Sequence, residues 1–110
     1  MVTSDGEHDE HIFGLVDKNG KIISCKDPKN PGFTVDKKRG GVYIINFDQA
    51  FAECPGVTCT IYGYSWISYQ MSISVVEIER NRFVCQTSTP DHPQDSGFSF
   101  IAVGYKPEAD

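Results

Sequence analysis

The chain has 110 residues, of which 39% are hydrophobic and 12% aromatic, and this size and composition suit one domain with a packed core. Its formal net charge is −5, and four acids precede residue 11 with no lysine or arginine among them. This balance excludes the basic surface of a nucleic-acid binder, and no apolar run approaches the roughly 20 residues of a membrane-spanning helix.

Composition along the chain predicts how it is divided. Residues 1–11 are polar and acidic, which predicts a disordered leader, and they contain no basic-then-apolar signal pattern. Residues 12–106 carry the apolar alternation of a single folded domain, and residues 107–110 form a short C-terminal tail. The sequence leaves the cellular compartment open.

Two short strands joined by a tight turn open the predicted domain. Residues 12–16 and 21–25 are apolar runs on either side of an Asn-Gly pair, and this arrangement predicts a β-hairpin. A loop with two prolines and a glycine follows, and it leads into a short strand at residues 33–35.

The clearest strand covers residues 41–48. Tyr43, Ile45 and Phe47 recur in it at period two, so they are predicted to share one face of a sheet and to point into the core. A glycine pair marks the preceding turn, because glycine adopts positive φ without steric cost.

Four further strands are predicted in the second half of the chain, at residues 57–62, 70–79, 83–87 and 98–103. The apolar phase slips within the second of these strands, which indicates a β-bulge near Val75. Residues 98–103 are apolar on both faces, as expected of a central strand that is covered on both sides.

The pattern as a whole contains about eight short strands and no credible long helix. It predicts an all-β protein, specifically an antiparallel β-sandwich, with a jelly-roll as one form of that fold. A closed β-barrel is the alternative that the pattern leaves open.

Cysteines stand at positions 25, 54, 59 and 85. No Cys-x-x-Cys motif occurs, and the spacing of Cys54 and Cys59 does not suit a zinc knuckle, so no metal site is predicted. Three pairings are possible if all four cysteines are bridged, but the lack of a visible secretory context favours free thiols. Cys54 is predicted to be the exposed thiol and hence a hypothetical site of redox sensitivity.

An aromatic group follows the strand at residues 57–62 and consists of Tyr62, Tyr64, Trp66 and Tyr69. Rings on a connecting loop can stack on sugar faces or anchor a protein contact, because they offer a large area at low entropic cost. Alternatively, the rings cover the end of the core, since three of them share a period-two parity. The functional hypothesis assigns Tyr64, Trp66 and Tyr69 to a ligand-binding surface.

The loop at residues 89–96 is polar and rich in hydrogen-bonding groups. Asp91, Gln94 and Asp95 could bind sugar hydroxyls or calcium, so they are the other candidate ligand-binding residues. Two prolines and a Ser-Gly pair are typical of an ordinary surface loop, which is the competing interpretation.

No pattern in the sequence predicts catalysis. Residues 63–67 resemble a nucleophile elbow except at the last position, where glycine is required and isoleucine stands. His8 and His11 lie three residues apart among carboxylates, but in an acidic leader this spacing predicts no specific metal site. No acid, base and nucleophile converge, so we predict no enzyme, no catalytic residue and no cofactor.

One ordered series of motifs runs through roughly residues 12–105. It consists of Gly14-Leu15-Val16 with Asn19-Gly20 and Ile22, Phe33-Thr34-Val35, Gly41-Val42-Tyr43-Ile44-Ile45-Asn46-Phe47, Phe51, Pro55, Val57, Phe83-Val84 with Thr87, and Phe98-Ser99-Phe100-Ile101-Ala102-Val103-Gly104. In these motifs the chain resembles a family of small bacterial and phage-associated β-modules, which often stand at the ends of fibre-like or collagen-like chains. The resemblance implies a β-sandwich that is lectin-like in shape, and it brings no catalytic residue.

Two functions of different classes are therefore expected. The first is a non-enzymatic binding or adhesion module, with carbohydrate as one ligand class and with the aromatic loop and the loop at residues 89–96 as its surface. The second is a structural or assembly module of a larger or oligomeric, fibre-like protein, in which the second face of residues 98–103 is buried between subunits. The predicted partners are a glycan, a protein or a second copy of the chain.

Overall fold

The fold is known from a computed structural model, which describes residues 9–63 and 70–107. Within these ranges the chain forms eight β-strands, and no helix there is long and apolar enough to cross a membrane. The strands are β1 (Asp9–Val16), β2 (Ile22–Cys25), β3 (Phe33–Lys37), β4 (Val42–Phe47), β5 (Gly56–Tyr62), β6 (Ser72–Ile78), β7 (Arg82–Ser88) and β8 (Gly97–Tyr105).

The first strand begins earlier than the sequence predicted. β1 starts at Asp9, so residues 9–11 belong to a sheet, although they were expected in the leader. Asp9 lies opposite Tyr105 of β8. Backbone hydrogen bonds to β8 hold these polar residues in the strand, although they show no apolar alternation from which a strand could be predicted. Residues 1–8 and 108–110, the remainder of the predicted leader and most of the tail, lie outside the described ranges.

The strands form two antiparallel sheets that pack face to face as a β-sandwich. Sheet A has the order β2-β1-β8-β5, and sheet B has the order β3-β4-β7-β6. The fold class predicted from the sequence is therefore confirmed, and the described strands form no closed barrel. The first strand pairs with the last and β4 pairs with β7, so strands far apart in sequence are neighbours in both sheets.

Two local features predicted from the sequence are present. The turn between β1 and β2 has Gly20 at a φ of 88°, and Asp17 Oδ1 accepts a hydrogen bond of 2.9 Å from the backbone N–H of Asn19. In β6 the register against β7 shifts between Val75 and Glu77, which is the predicted bulge.

The core lies between the sheets and consists largely of aromatic rings. The three predicted inward side chains of β4 are buried, and Tyr43 has no exposed surface. Phe100 of β8 packs edge-on against Phe33 of β3 and Phe83 of β7, with ring centroids 5.0 and 5.2 Å apart. Edge-to-face pairs of this kind stabilise a core beyond the area they bury. They also place β8 of sheet A above the middle of sheet B.

Candidate functional site

The aromatic group assigned to a ligand-binding surface lies almost wholly outside the described ranges. This applies to Tyr64, Trp66 and Tyr69, whose assignment therefore stays a prediction. Tyr62 ends β5, and 50% of its surface is exposed. Its exposure does not fit the interpretation in which these rings cover the core.

The loop between β7 and β8 carries the other candidates. Asp91 and Gln94 are exposed in this loop, whereas Asp95 is partly buried. Near its start, Thr89 Oγ1 accepts hydrogen bonds of 3.2 Å from the backbone N–H groups of Asp91 and His92. Within the described residues, no hydrogen bond or ion pair joins Asp91 to Gln94 or Asp95, so the three do not form a connected polar cluster.

A set of backbone and side-chain hydrogen bonds fastens the end of this loop to sheet B, and we call it the Thr87 anchor. The buried hydroxyl of Thr87 donates to the carbonyl of Gln94 at 2.5 Å, and the Thr87 N–H donates to the carbonyl of Gly41 at 2.8 Å. The Gln94 N–H returns a hydrogen bond of 3.2 Å to the Thr87 carbonyl. Because a buried hydroxyl is costly unless it is hydrogen-bonded, these contacts determine where the loop lies.

Asp95 is the charged part of the same anchor. Its Oδ1 accepts a hydrogen bond of 2.8 Å from the Gly41 N–H and lies 2.9 Å from Lys37 Nζ. Burial alone would raise the pKa of Asp95, but the hydrogen bonds from Lys37 and Gly41 outweigh it and hold the pKa below its ordinary value. These contacts give Asp95 a structural role, and a sugar or calcium ion would have to compete with them.

Asp95→Ala is expected to lower the free energy of unfolding by about 1–2 kcal/mol near neutral pH, because it removes the acceptor for one backbone N–H and the partner of Lys37, whose side chain is 23% exposed. A carboxylate with a depressed folded pKa stabilises the protein above its unfolded pKa, and that contribution is lost as the pH falls through the folded value. The difference from the wild-type chain should therefore shrink below about pH 4. Urea unfolding of both proteins, from neutral pH to below about pH 4, measures this difference in the free energy of unfolding.

Asp95→Asn is the matched control for that experiment. Its amide oxygen can still accept from Gly41, so only the charge interaction with Lys37 is lost, and about half of the destabilisation is expected. A loss in Asp95→Ala that stays the same at every pH would contradict the ionic part of the anchor.

Tyr43 connects the anchor to the core. Its hydroxyl donates to the Lys18 carbonyl at 2.6 Å, and Lys37 Nζ lies 5.5 Å from the centre of its ring. Burial, and next the nearby charge of Asp95, raise the pKa of Tyr43 to about 12. The phenol is therefore neutral at physiological pH and acts as a structural donor, with no tendency to serve as a base.

The outer face of sheet A exposes apolar side chains on two neighbouring strands. Phe13 of β1 lies directly opposite Ile101 of β8, and each is 40% exposed. Val103, two residues further along β8, is 38% exposed. The sequence predicted that residues 98–103 are covered on both sides, and this is wrong for the single chain, because the described residues cover only the inner face.

The two sheets differ in the chemistry of their outer faces. On sheet B the outer face carries an ion pair of 3.3 Å between Arg82 and Glu77, and Asp36 accepts a hydrogen bond of 3.1 Å from Asn46. On sheet A, by contrast, charge occurs only where β1 begins. The side chains that share the outer face of sheet A on β1, β5 and β8 are Asp9, His11, Phe13, Leu15, Thr58, Thr60, Tyr62, Ser99, Ile101, Val103 and Tyr105.

Charges of both signs gather at that one end of the outer face. They line an open groove of about 360 Å³, whose walls are formed by Asp9, Glu10, His11, Phe13, Lys26 and Lys106. Two acids and two lysines side by side favour neither a polyanion nor a cation. They suit a partner whose own charges alternate in the same way.

Phe13 is a surface residue that the sequence reasoning did not identify. Its signal was present, because Phe13 and Leu15 alternate with Ile12 and Val16, so that β1 is apolar on both faces in the same way as β8. Only the pairing of β1 with β8 shows that these second faces join into one surface.

All four cysteines are free thiols, as the sequence favoured. Cys54 is exposed, as predicted, whereas Cys85 is buried and the other two are intermediate. Among the described residues, no group of three or more histidine, cysteine or acidic side chains is placed to hold a metal ion.

Comparison with known proteins adds no family to this description. The chain matches no protein-family model, no curated protein and no solved structure. The resemblance to small β-modules of fibre-like proteins therefore stays a prediction, and the function has to follow from the described surfaces.

Proposed function

We propose that the chain is a structural or assembly module without catalytic activity, and that the outer face of sheet A binds a second copy of the same chain. The observation that supports this function is the exposed apolar cluster of Phe13, Ile101 and Val103. Apolar side chains scattered singly over a surface are ordinary, but neighbouring ones on one face of a sheet are typical of a protein contact.

The size of the face suits a moderate interface. Four strands about 4.8 Å apart, with up to nine residues each at about 3.3 Å per residue, give a face of roughly 20 by 25 Å. Two such faces would together bury about 1,000 Å², which is where specific interfaces begin. We therefore expect a dimer with a dissociation constant in the range of about 1–100 μM, at the weak end of specific association.

The charge pattern supports a second copy as the partner. A chain with a net charge of −5 repels its own copies, but the middle of this face carries no charge, so repulsion there is small. At the charged end, a two-fold axis that runs parallel to the strands between β1 and β8 would place Lys106 of one copy opposite Asp9 of the other, and the reverse contact would follow by symmetry.

Carbohydrate binding has less support among the described residues. Of its three loop candidates, Asp95 is engaged in the Thr87 anchor, and no described contact joins Asp91 to the other two. Its aromatic candidates lie outside the described ranges, so this function stays a prediction.

Val103→Lys tests the proposed function, and Val76→Lys is its matched control. Val76 lies at the bulge of β6 in sheet B with 56% of its surface exposed, so the same change there leaves the outer face of sheet A intact. Light scattering over a dilution series from about 1 μM to about 1 mM should show a wild-type dimer at the upper end. Val103→Lys should raise the dissociation constant at least about tenfold, because an ammonium group would have to lose its hydration in the interface.

Several outcomes would contradict this function. A wild-type chain that stays monomeric at about 1 mM would exclude the dimer. An equal effect of Val76→Lys would show that the apolar face is not the contact. Circular dichroism of both variants verifies that the sandwich is retained.

A further inference from the structure

Two cysteine thiols face each other across the core of the sandwich. Cys59 lies on β5 in sheet A, and Cys85 lies on β7 in sheet B, and both side chains point inward. Cys85 has no exposed surface, whereas Cys59 is only partly buried and packs against the core cluster that contains Cys85. The pair therefore combines one partly buried residue with one fully buried residue.

The aromatic packing shows that the strands of these two cysteines overlie each other. Phe100 of β8 is the cross-strand partner of Cys59, and Phe83 stands two residues before Cys85 on β7. The rings of Phe83 and Phe100 are 5.2 Å apart across the sandwich. β5 continues sheet A beyond β8 and contacts β6 of sheet B, the neighbour of β7, so Cys59 lies on the side of the core where Cys85 is buried.

A hydrogen bond between the two thiols shifts their pKa values in opposite directions. The Cys85 thiol donates to the Cys59 sulfur, which lowers the pKa of Cys59. The same hydrogen bond, together with burial, raises the pKa of Cys85. Cys59 is thus the thiol that ionises first, and it lies in the less buried residue of the two, so it is the nucleophile of the pair.

We propose that Cys59 and Cys85 form a disulfide between the two sheets by exchange with a small-molecule disulfide such as oxidised glutathione. The Cys59 thiolate attacks one sulfur of the glutathione disulfide, forms a mixed disulfide and releases one glutathione thiolate. Cys85 loses its proton and attacks the Cys59 sulfur, which releases the second glutathione. Two protein thiols are oxidised by two electrons, and one glutathione disulfide is reduced to two thiols.

The position of β5 makes this reaction structurally feasible. β5 is the last strand of sheet A and pairs with β8 alone among the described strands, so it can shift toward sheet B more easily than a central strand. A disulfide needs its sulfur atoms about 2 Å apart, which is about 2 Å closer than a thiol–thiol hydrogen bond. A bridge at this place would join the two layers through the core, as the inter-sheet bridge of antibody domains does.

Oxidation of the Cys54→Ser variant tests the proposal, because it removes the exposed thiol that would otherwise link chains. After incubation with oxidised glutathione, remaining thiols are alkylated in denaturant and counted by mass spectrometry. We expect the count to fall from three to one, with a peptide pair that joins Cys59 to Cys85. The unfolding temperature should rise by about 10–20 °C and return after reduction, since the bridge constrains the unfolded chain.

Cys25 supplies the control. It lies on β2, at the opposite edge of sheet A from β5, roughly 14 Å away at the usual strand spacing. When Cys25→Ser is added to the Cys54→Ser variant, oxidation should raise the unfolding temperature by the same amount. When Cys59→Ala is added instead, oxidation should no longer raise it.

Three results would overturn the proposal: three thiols that all remain free, a stable glutathione adduct on Cys59 that Cys85 never displaces, or a bridge to Cys25. If Cys59→Ala fails to fold, the peptide map of the oxidised Cys54→Ser protein still shows whether Cys59 is bridged to Cys85. The result does not depend on self-association, because neither thiol lies on the outer face of sheet A.

Discussion

Replacing Gly41 with alanine is expected to lower the free energy of unfolding by about 3 kcal/mol or more. Gly41 has a φ of +75°, which costs an alanine about 1–2 kcal/mol by itself. The added Cβ would also overlap the carbonyl oxygen of Thr87 and lie 3.1 Å from the carbonyl oxygen of Gln94. Because these are backbone atoms, relief requires β4, β7 and the loop before β8 to separate, and the Thr87 anchor would be lost.

Gly40→Ala is the matched control for this prediction, and urea unfolding followed by circular dichroism measures both variants. Gly40 also has positive φ, at +32°, but a Cβ added there would come no closer than 3.6 Å to the Cβ of Pro93, which is an ordinary contact distance. Only the backbone cost should remain, at about 1 kcal/mol. Equal losses in the two variants would show that the contact with Thr87 is not what requires glycine at position 41.

Phe100→Ala is expected to destabilise the fold by about 3–5 kcal/mol. The Phe100 ring is 4% exposed and stands at the centre of the aromatic core, where it meets the rings of Phe33 and Phe83 edge-on. Its removal loses the burial of a large apolar side chain and both ring contacts, and it leaves a cavity that the two sheets cannot fill without moving.

Phe13→Ala provides the comparison, because it deletes the same side chain from the opposite face of the same sheet. Phe13 is 40% exposed, so its truncation should cost about 1 kcal/mol when both variants are measured by urea unfolding at a concentration where the chain is monomeric. At higher concentration, Phe13→Ala should instead weaken dimerisation. A Phe100→Ala variant no less stable than Phe13→Ala would contradict the assignment of Phe100 to the core.

Much of the fold follows from local patterns. The period-two recurrence in β4, the Asn-Gly turn after β1 and the slip of phase near Val75 each predicted a feature that the structure contains. Each of these patterns involves residues only a few positions apart, so each feature can be predicted from a short stretch of sequence without knowing the rest of the fold. The exception is the start of β1, where residues 9–11 are held by β8 and carry no apolar alternation of their own.

The candidate surfaces required the tertiary structure. From the sequence, Asp95 was predicted to be a loop carboxylate available to a ligand. In the structure its carboxylate accepts a hydrogen bond from the backbone N–H of Gly41, 54 residues earlier in the chain. Residues 98–103 are apolar on both faces, and nothing local shows that one face meets sheet B while the other joins Phe13 on an open surface.

The amino-acid sequence alone specifies that this chain is built of short strands, where the chain turns between them and which side chains of β4 face the core. Those properties arise from backbone geometry and from the alternation of side chains along a strand. The three-dimensional packing is needed to show which strands are neighbours, which apolar faces stay uncovered and that Cys59 and Cys85 lie at the same core. Such contacts join residues far apart in sequence, and they depend on how the two sheets pack over each other.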